Sequence, residues 1–183
     1  MQVIAQKDYE TMPWKNGQGT TREVHCVRTG DKLVWRLSLA AVKVDGPFSK
    51  FEGLERILTV IKGQGLRLVS PEAEIAALPF QPVRFSGETE IMGYCLDGPI
   101  EDFNLIYDPD RIVAEMRVVS GLSSADLSCA TDTTYAVHLL EGTLSLGPDA
   151  MATAGDTCLL RDGAPDVSAS NDLRCILVSL TQR

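Results

Sequence analysis

The run Leu33-Val34-Trp35-Arg36-Leu37-Ser38-Leu39-Ala40 alternates with a period of two residues. Leu33, Trp35, Leu37 and Leu39 fall on one side, and Val34, Arg36, Ser38 and Ala40 on the other. Successive side chains of a strand point to opposite faces, so this run specifies a strand that presents an arginine and a serine together. The same patterning predicts strands at residues 57–61, 66–69, 112–119, 135–140, 143–146 and 175–180, with another starting at Thr20. Only Glu72 to Leu78 reads as a short helix. The chain is therefore expected to be all-β.

One strand-turn unit occurs twice. Val60-Ile61-Lys62-Gly63-Gln64-Gly65-Leu66-Arg67-Leu68 resembles Leu139-Leu140-Glu141-Gly142-Thr143-Leu144-Ser145-Leu146 with one residue deleted, and each reads as a hairpin. Downstream, Ser86-Gly87-Glu88-Thr89 echoes Ala154-Gly155-Asp156-Thr157. An apolar pair, a charged-Gly turn, an alternating strand and then Gly-acid-Thr is a cupin-like order. Its repetition predicts a bicupin, two cupin-like β-barrel halves in one chain. A turn cluster, Tyr107-Asp108-Pro109-Asp110-Arg111, separates them, giving halves at residues 1–108 and 109–183.

The chain has 183 residues, enough to bury a good core, and its 44% hydrophobic content is ordinary for a globular protein. A net charge of −8 with no basic cluster argues against a nucleic-acid partner. No apolar run approaches the roughly 20 residues that span a bilayer, and no signal-peptide core opens the chain, so no membrane partner is expected. Five cysteines without Cys-x-x-Cys spacing fit reduced thiols in the cytoplasm better than a disulfide framework or a zinc site. A homodimer is left open.

Metal chemistry in a cupin needs two closely spaced histidines, a carboxylate and a later histidine on the barrel strands. This chain has only His25 and His138, and the first-half turn region has neither, so no metal and no cofactor are expected. His138 reads as a core or barrel-lining residue. His25 and Cys26 are successive strand residues and face opposite ways, so they do not form a local catalytic pair. No Gly-x-Ser-x-Gly elbow, Walker loop or complete dinucleotide fingerprint is present.

What remains is a set suited to binding an anion. The run Pro13-Trp14-Lys15-Asn16-Gly17-Gln18-Gly19-Thr20-Thr21-Arg22-Glu23 combines an aromatic, two cations, a carboxamide and two hydroxyls around glycines that let a backbone approach a ligand closely. Arg22, Arg36 and Arg56 each offer a guanidinium fork that matches a carboxylate bidentately. Asn16, Thr20, Ser38 and Asn104 are expected to complete a polar floor, and Asp102 to fix one arginine, since a buried charge needs a partner. Trp14 and Lys15 are the expected pocket wall. Arg56, at the start of a strand, is expected at a barrel mouth. The competing reading has these arginines in structural ion pairs with Glu23, Glu55 and Asp102.

The run from Pro13 to Glu23 also resembles the N-terminal signature of the HutD/Ves family, usually Pro-Trp-Lys-Asn-Gly-Gly-Gly-Thr-Thr-Arg-Glu. Trp35-Arg36-Leu37-Ser38-Leu39-Ala40, then Asp45-Gly46-Pro47-Phe48-Ser49 with Arg56, then Asp97-Gly98-Pro99 followed by Asp102-Phe103-Asn104-Leu105, continue the likeness in family order. Gln18 departs from the middle glycine, and Glu52-Gly53-Leu54-Glu55-Arg56 from the commoner Pro-Gly-Tyr-Asp-Arg. The resemblance implies a bicupin associated with bacterial histidine utilisation and thought to limit flux through that pathway. It implies a non-catalytic role and a small carboxylate ligand: urocanate, N-formylglutamate or formate. Ves-like relatives are instead described as stress-induced. An alternative is a metal-free cupin isomerase or hydrolase acting on a small organic acid, with Lys15 and Asp102 as acid and base.

Overall fold

The computed structural model describes residues 1–14, 17, 19–124, 126–127, 132–148, 150–161 and 167–183. Its strands, in chain order, are β1 (Gln2–Ile4), β2 (Glu10–Pro13), β3 (Gly19–Thr29), β4 (Lys32–Val42), β5 (Gly46–Pro47), β6 (Glu55–Lys62), β7 (Leu66–Val69), β8 (Glu74–Ala77) and β9 (Val83–Ser86). They continue with β10 (Met92–Cys95), β11 (Ile100–Tyr107), β12 (Ile112–Ser120), β13 (Thr133–Glu141), β14 (Thr143–Leu146), β15 (Met151–Thr153), β16 (Thr157–Leu160), β17 (Val167–Ala169) and β18 (Arg174–Gln182). One 3-10 turn, Gln6–Asp8, lies between β1 and β2, and no helix among the described residues is long and apolar enough to cross a membrane.

The chain divides into two compact units, Glu10–Asp110 and Met1–Tyr9 with Arg111–Arg183. The first contains a six-stranded sheet, β2-β3-β4-β11-β6-β9, and a four-stranded one, β5-β10-β7-β8. The second contains a five-stranded sheet, β1-β16-β13-β18-β12, and a three-stranded one, β15-β14-β17. The order β4-β11-β6-β9 recurs as β12-β18-β13-β16, and β10-β7-β8 recurs as β17-β14-β15. Both units thus carry one all-β, cupin-like arrangement. Residues 1–9, assigned by sequence to the first half, pair elsewhere: Val3 of β1 aligns with Cys158 of β16, and Tyr9 bonds Gly155 O and Thr157 Oγ1.

Each unit closes its two sheets over its own core. In the first, Val42, Leu58, Val60 and Ile100 of the larger sheet pack with Leu66, Leu68 and Ala77 of the smaller. In the second, Val137, Leu139, Cys158 and Leu177 meet Leu144, Leu146 and Ala152. Burying such apolar faces is the main force that holds two sheets together.

Three sequence expectations are corrected. The Lys62-Gly63-Gln64-Gly65 turn is not a hairpin: β6 pairs with β11 and β9, β7 with β10 and β8, so the turn is a corner between sheets. The same holds for Gly142 between β13 and β14. These corners need glycine: Gly63 has φ +90°, and a Cβ there would lie 2.6 Å from Pro99 O. The second echo is out of step: Gly87 follows β9, whereas Gly155 precedes β16, the counterpart of β9. Finally, residues 72–78 contain strand β8, not a helix. A seven-residue segment is too short to hold a helix on its own, and pairing with the edge of β7, from Glu74↔Val69 to Ala77↔Leu66, decides its state.

Candidate functional site

The site is built on the inner face of the six-stranded sheet. Register sets three cross-strand rows on β4, β11 and β6: Arg36–Ile106–Arg56, Ser38–Asn104–Leu58 and Ala40–Asp102–Val60. Because the side-chain period is two, all of these point the same way. All but Leu58 and Val60 border, together with Pro13, Trp14, Thr21, Val42, Pro47, Phe48, Ser49 and Phe51, a cavity of about 660 Å³. Arg36, Ser38, Arg56, Asp102, Asn104 and Trp14, chosen from sequence, are therefore brought together.

Parity removes two of the chosen residues. Thr21 aligns with Ala40 and Glu23 with Ser38, so these two share the cavity face. Thr20 and Arg22 align with Ala41 and Leu39 and take the other face. There Arg22 is in contact with Glu101, which also pairs with Lys62 at 2.7 Å. Sequence alone did not reveal which of the adjacent threonines faces inward, since β3 carries irregularities near His25 and Arg28 that only the register shows. Lys15, Asn16 and Gln18 lie outside the described residues.

Arg56 is not at a mouth. It is 6% exposed, and its guanidinium carbon sits 5.2, 5.4 and 5.0 Å from the ring centres of Phe48, Phe51 and Phe85. Three aromatic faces attract the cation while excluding water from it. Nη2 donates to Asn104 Oδ1 at 2.9 Å and Nη1 to Ser49 O at 3.4 Å. Asn104 Nδ2 in turn donates to Asp102 Oδ1. Phe48, Phe51, Ser49 and Thr21 were missed as site residues. The signal available for the first three was their place in the same motif block as Arg56.

Burial governs the charges. It lowers the Arg56 pKa to about 10, against the opposing pull of Asp102 and with the Arg36 charge adding to the fall, so Arg56 stays charged at neutral pH. It raises the Asp102 carboxyl to about 7, against Arg56 and the Asn104 hydrogen bond. Asp102 is fully buried, and its Oδ2 has no hydrogen-bond partner among the described residues. Arg36 is less enclosed, with an 18% exposed side chain, and Glu23 Oε2 lies 2.7 Å from its Nε. The sequence had assigned Asp102 to fix an arginine; it does so for Arg56, with Asn104 as the bridge.

Trp14 forms one wall. Its indole Nε1 donates to Thr21 Oγ1 at 2.9 Å, and its ring lies on Gly19, where a Cβ would come within 2.7 Å of Trp14 Cε3. Gly19 thus lets the aromatic close on the strand. Among the described residues no group of three or more His, Cys, Asp and Glu side chains is disposed to hold a metal ion.

The second unit carries different residues at the matching positions. Aligning β6 with β13 through their Gly corners sets Arg56 opposite Tyr135. The pairings of β11 and β18 then set Asp102 opposite Cys175 and Asn104 opposite Leu177. Cys175 and Leu177 belong to an apolar core. The polar set is confined to the first unit.

The fold and site define an all-β, cupin-like protein with an arginine- and carboxamide-lined cavity walled by aromatics. The family model described as HutD matches residues 6–177, and the chain belongs to that family. It is 41% identical over 136 residues to an uncharacterised 21.2 kDa protein of the hutC 3′ region in Pseudomonas putida, covering 72% of this chain and 70% of that protein. To Protein Ves of Citrobacter koseri it is 30% identical over 167 residues, covering 85% and 82%. The structure of HutD from Pseudomonas fluorescens SBW25, in a formate condition, superposes with a TM-score of 0.81 at 34% identity, covering 100% of this chain and 98% of that one.

Proposed function

We propose that the cavity is the receptor for a small carboxylate of the urocanate, N-formylglutamate or formate type, and that binding it without turnover lets this cytoplasmic protein modulate histidine utilisation. The observation that carries this reading is the row Arg36–Ile106–Arg56 beside Ser38 and Asn104 on one face of the cavity. Arg36 is the direct anion partner. Among the described residues it pairs with Glu23 alone, through Nε, so its terminal nitrogens are left for a bidentate carboxylate. Arg56 is held in its phenyl cage and supplies charge from behind. Trp14, Phe48 and Phe51 fit the apolar body of an unsaturated acid.

Family membership supports the pathway link, as do the hutC-region relative and the HutD structure obtained in a formate condition. A thermal-shift screen of histidine-pathway metabolites tests the reading. Stabilisation by a carboxylate, with no product formed on prolonged incubation, is the expected result. No shift with any of them sinks the receptor.

One observation favours a second reading, an enzyme acting on a small acid: a cavity-lining carboxyl moved toward neutrality is a common general acid or base. Turnover of the stabilising acid, lost in Asp102→Asn, is its signature.

A further inference from the structure

Asp102 is the only acid on the three cross-strand rows, and although it lines the cavity its side chain is fully buried. Oδ1 is taken by Asn104, while Oδ2 is buried beyond the reach of a water-sized probe and has no hydrogen-bond partner among the described residues. A ligand atom is no smaller than water, so it does not reach Oδ2 as the cavity stands. A proton does. An ionised buried oxygen with no donor is costly, and protonation removes that cost.

Charge matching points the same way. Among the described residues, the charged groups that face the cavity or Asp102 are Arg56 on β6, Arg36 on β4 and Glu23 on β3. The Cys95 thiol, whose pKa is raised first by burial and then by the Asp45 and Asp102 charges, stands on β10, and Glu101 stands on the opposite face of β11 with Arg22 and Lys62. With Asp102 ionised, the two guanidinium charges on the cavity side are cancelled by Glu23 and Asp102. With Asp102 protonated, one positive charge is left over, matching one carboxylate.

We propose that the cavity binds a monocarboxylate together with one proton, held on Asp102, so that Asp102 is the residue that selects the charge state of the ligand. This rests on the carboxylate-receptor reading above. The proton comes from the buffer when Asp102 is ionised beforehand. The burial that already lifts this carboxyl supports the step, because an incoming anion lifts it further. Asp102 acts through the field at Arg36, Asn104 and Arg56 and need not touch the ligand.

Formate is the probe, since it has no other group that titrates near neutrality. Calorimetric titration is run from about pH 6 to about pH 9, and at about pH 8 in both Tris and HEPES, whose ionisation heats differ. Proton uptake predicts that formate affinity falls about tenfold per pH unit once Asp102 is mostly ionised, with a buffer-dependent heat near one proton per formate. Asp102→Asn, which imitates the protonated form, is expected to bind with flat pH dependence and buffer-independent heat. If that variant does not fold, the slope and buffer heats of the wild type decide alone. Formate bound no better at low pH than at high pH overturns the proposal and leaves the receptor reading intact. Failure of formate, urocanate and N-formylglutamate alike at every pH overturns the receptor reading too.

Discussion

Arg56 Nη2 donates to Asn104 Oδ1 at 2.9 Å, inside a cage of three phenyl rings. This bond makes a charged side chain part of the core of the unit that carries the cavity. Lysine keeps the charge but loses the planar fork, the bond to Asn104 and the stacking. A lost hydrogen bond to a buried charged group costs about 1.5–3 kcal/mol, so Arg56→Lys is expected to lower stability by that order. Urea denaturation of the variant checks it. An unchanged midpoint would mean that the cage does not depend on the guanidinium.

Asp102 couples stability to pH. Its folded-state pKa, about 7, lies above the ordinary value of 3.8, so the folded state holds the proton more tightly than the unfolded chain. Its favourable contribution is complete below the unfolded value and is lost as pH rises from there through the folded value. Asp102→Asn removes this term. Its melting temperature is therefore expected to match the wild type near pH 4 and to exceed it increasingly up to neutral pH. A constant difference across that range, measured by differential scanning calorimetry, would contradict the account.

Gly19 is fixed by sterics at the Trp14 wall. A methyl group there meets Ala41 O at 2.6 Å and the indole at 2.7 Å, and the carbonyl belongs to a paired strand that does not yield. Gly19→Ala is expected to cost about 1–3 kcal/mol by overpacking and to shift the tryptophan fluorescence as Trp14 is displaced. Trp14 itself is only half-buried. Trp14→Ala should therefore cost less than the roughly 3–5 kcal/mol of a fully buried tryptophan and should also weaken ligand binding.

Much of this was legible in the chain. The alternation at Leu33 to Ala40 gave both the strand and the face on which Arg36 and Ser38 stand, because side-chain period is a local property. Asp102 and Asn104 obey the same rule on β11. What was not legible depends on pairing between distant segments. Thr20 and Arg22 read as site residues because sequence does not reveal the register of β3 against β4. The Gly63 and Gly142 turns look like hairpins until their flanking strands are seen to join different sheets. Arg56 looked like a rim residue because its cage draws Phe48 and Phe51 from a loop and Phe85 from β9, and no periodicity announces such a convergence.

The most direct test uses the two arginines that parity separates. Arg36 lies on the cavity face, and Arg22, on the neighbouring strand, lies on the reverse face with Glu101. Urocanate is titrated calorimetrically into the wild type, Arg36→Ala and Arg22→Ala, each first shown to be folded. Loss of a hydrogen bond between charged partners corresponds to about ten- to a hundred-fold in affinity. The account predicts that loss for Arg36→Ala and unchanged affinity for Arg22→Ala. Unchanged binding in Arg36→Ala, or an equal loss in Arg22→Ala, would contradict it.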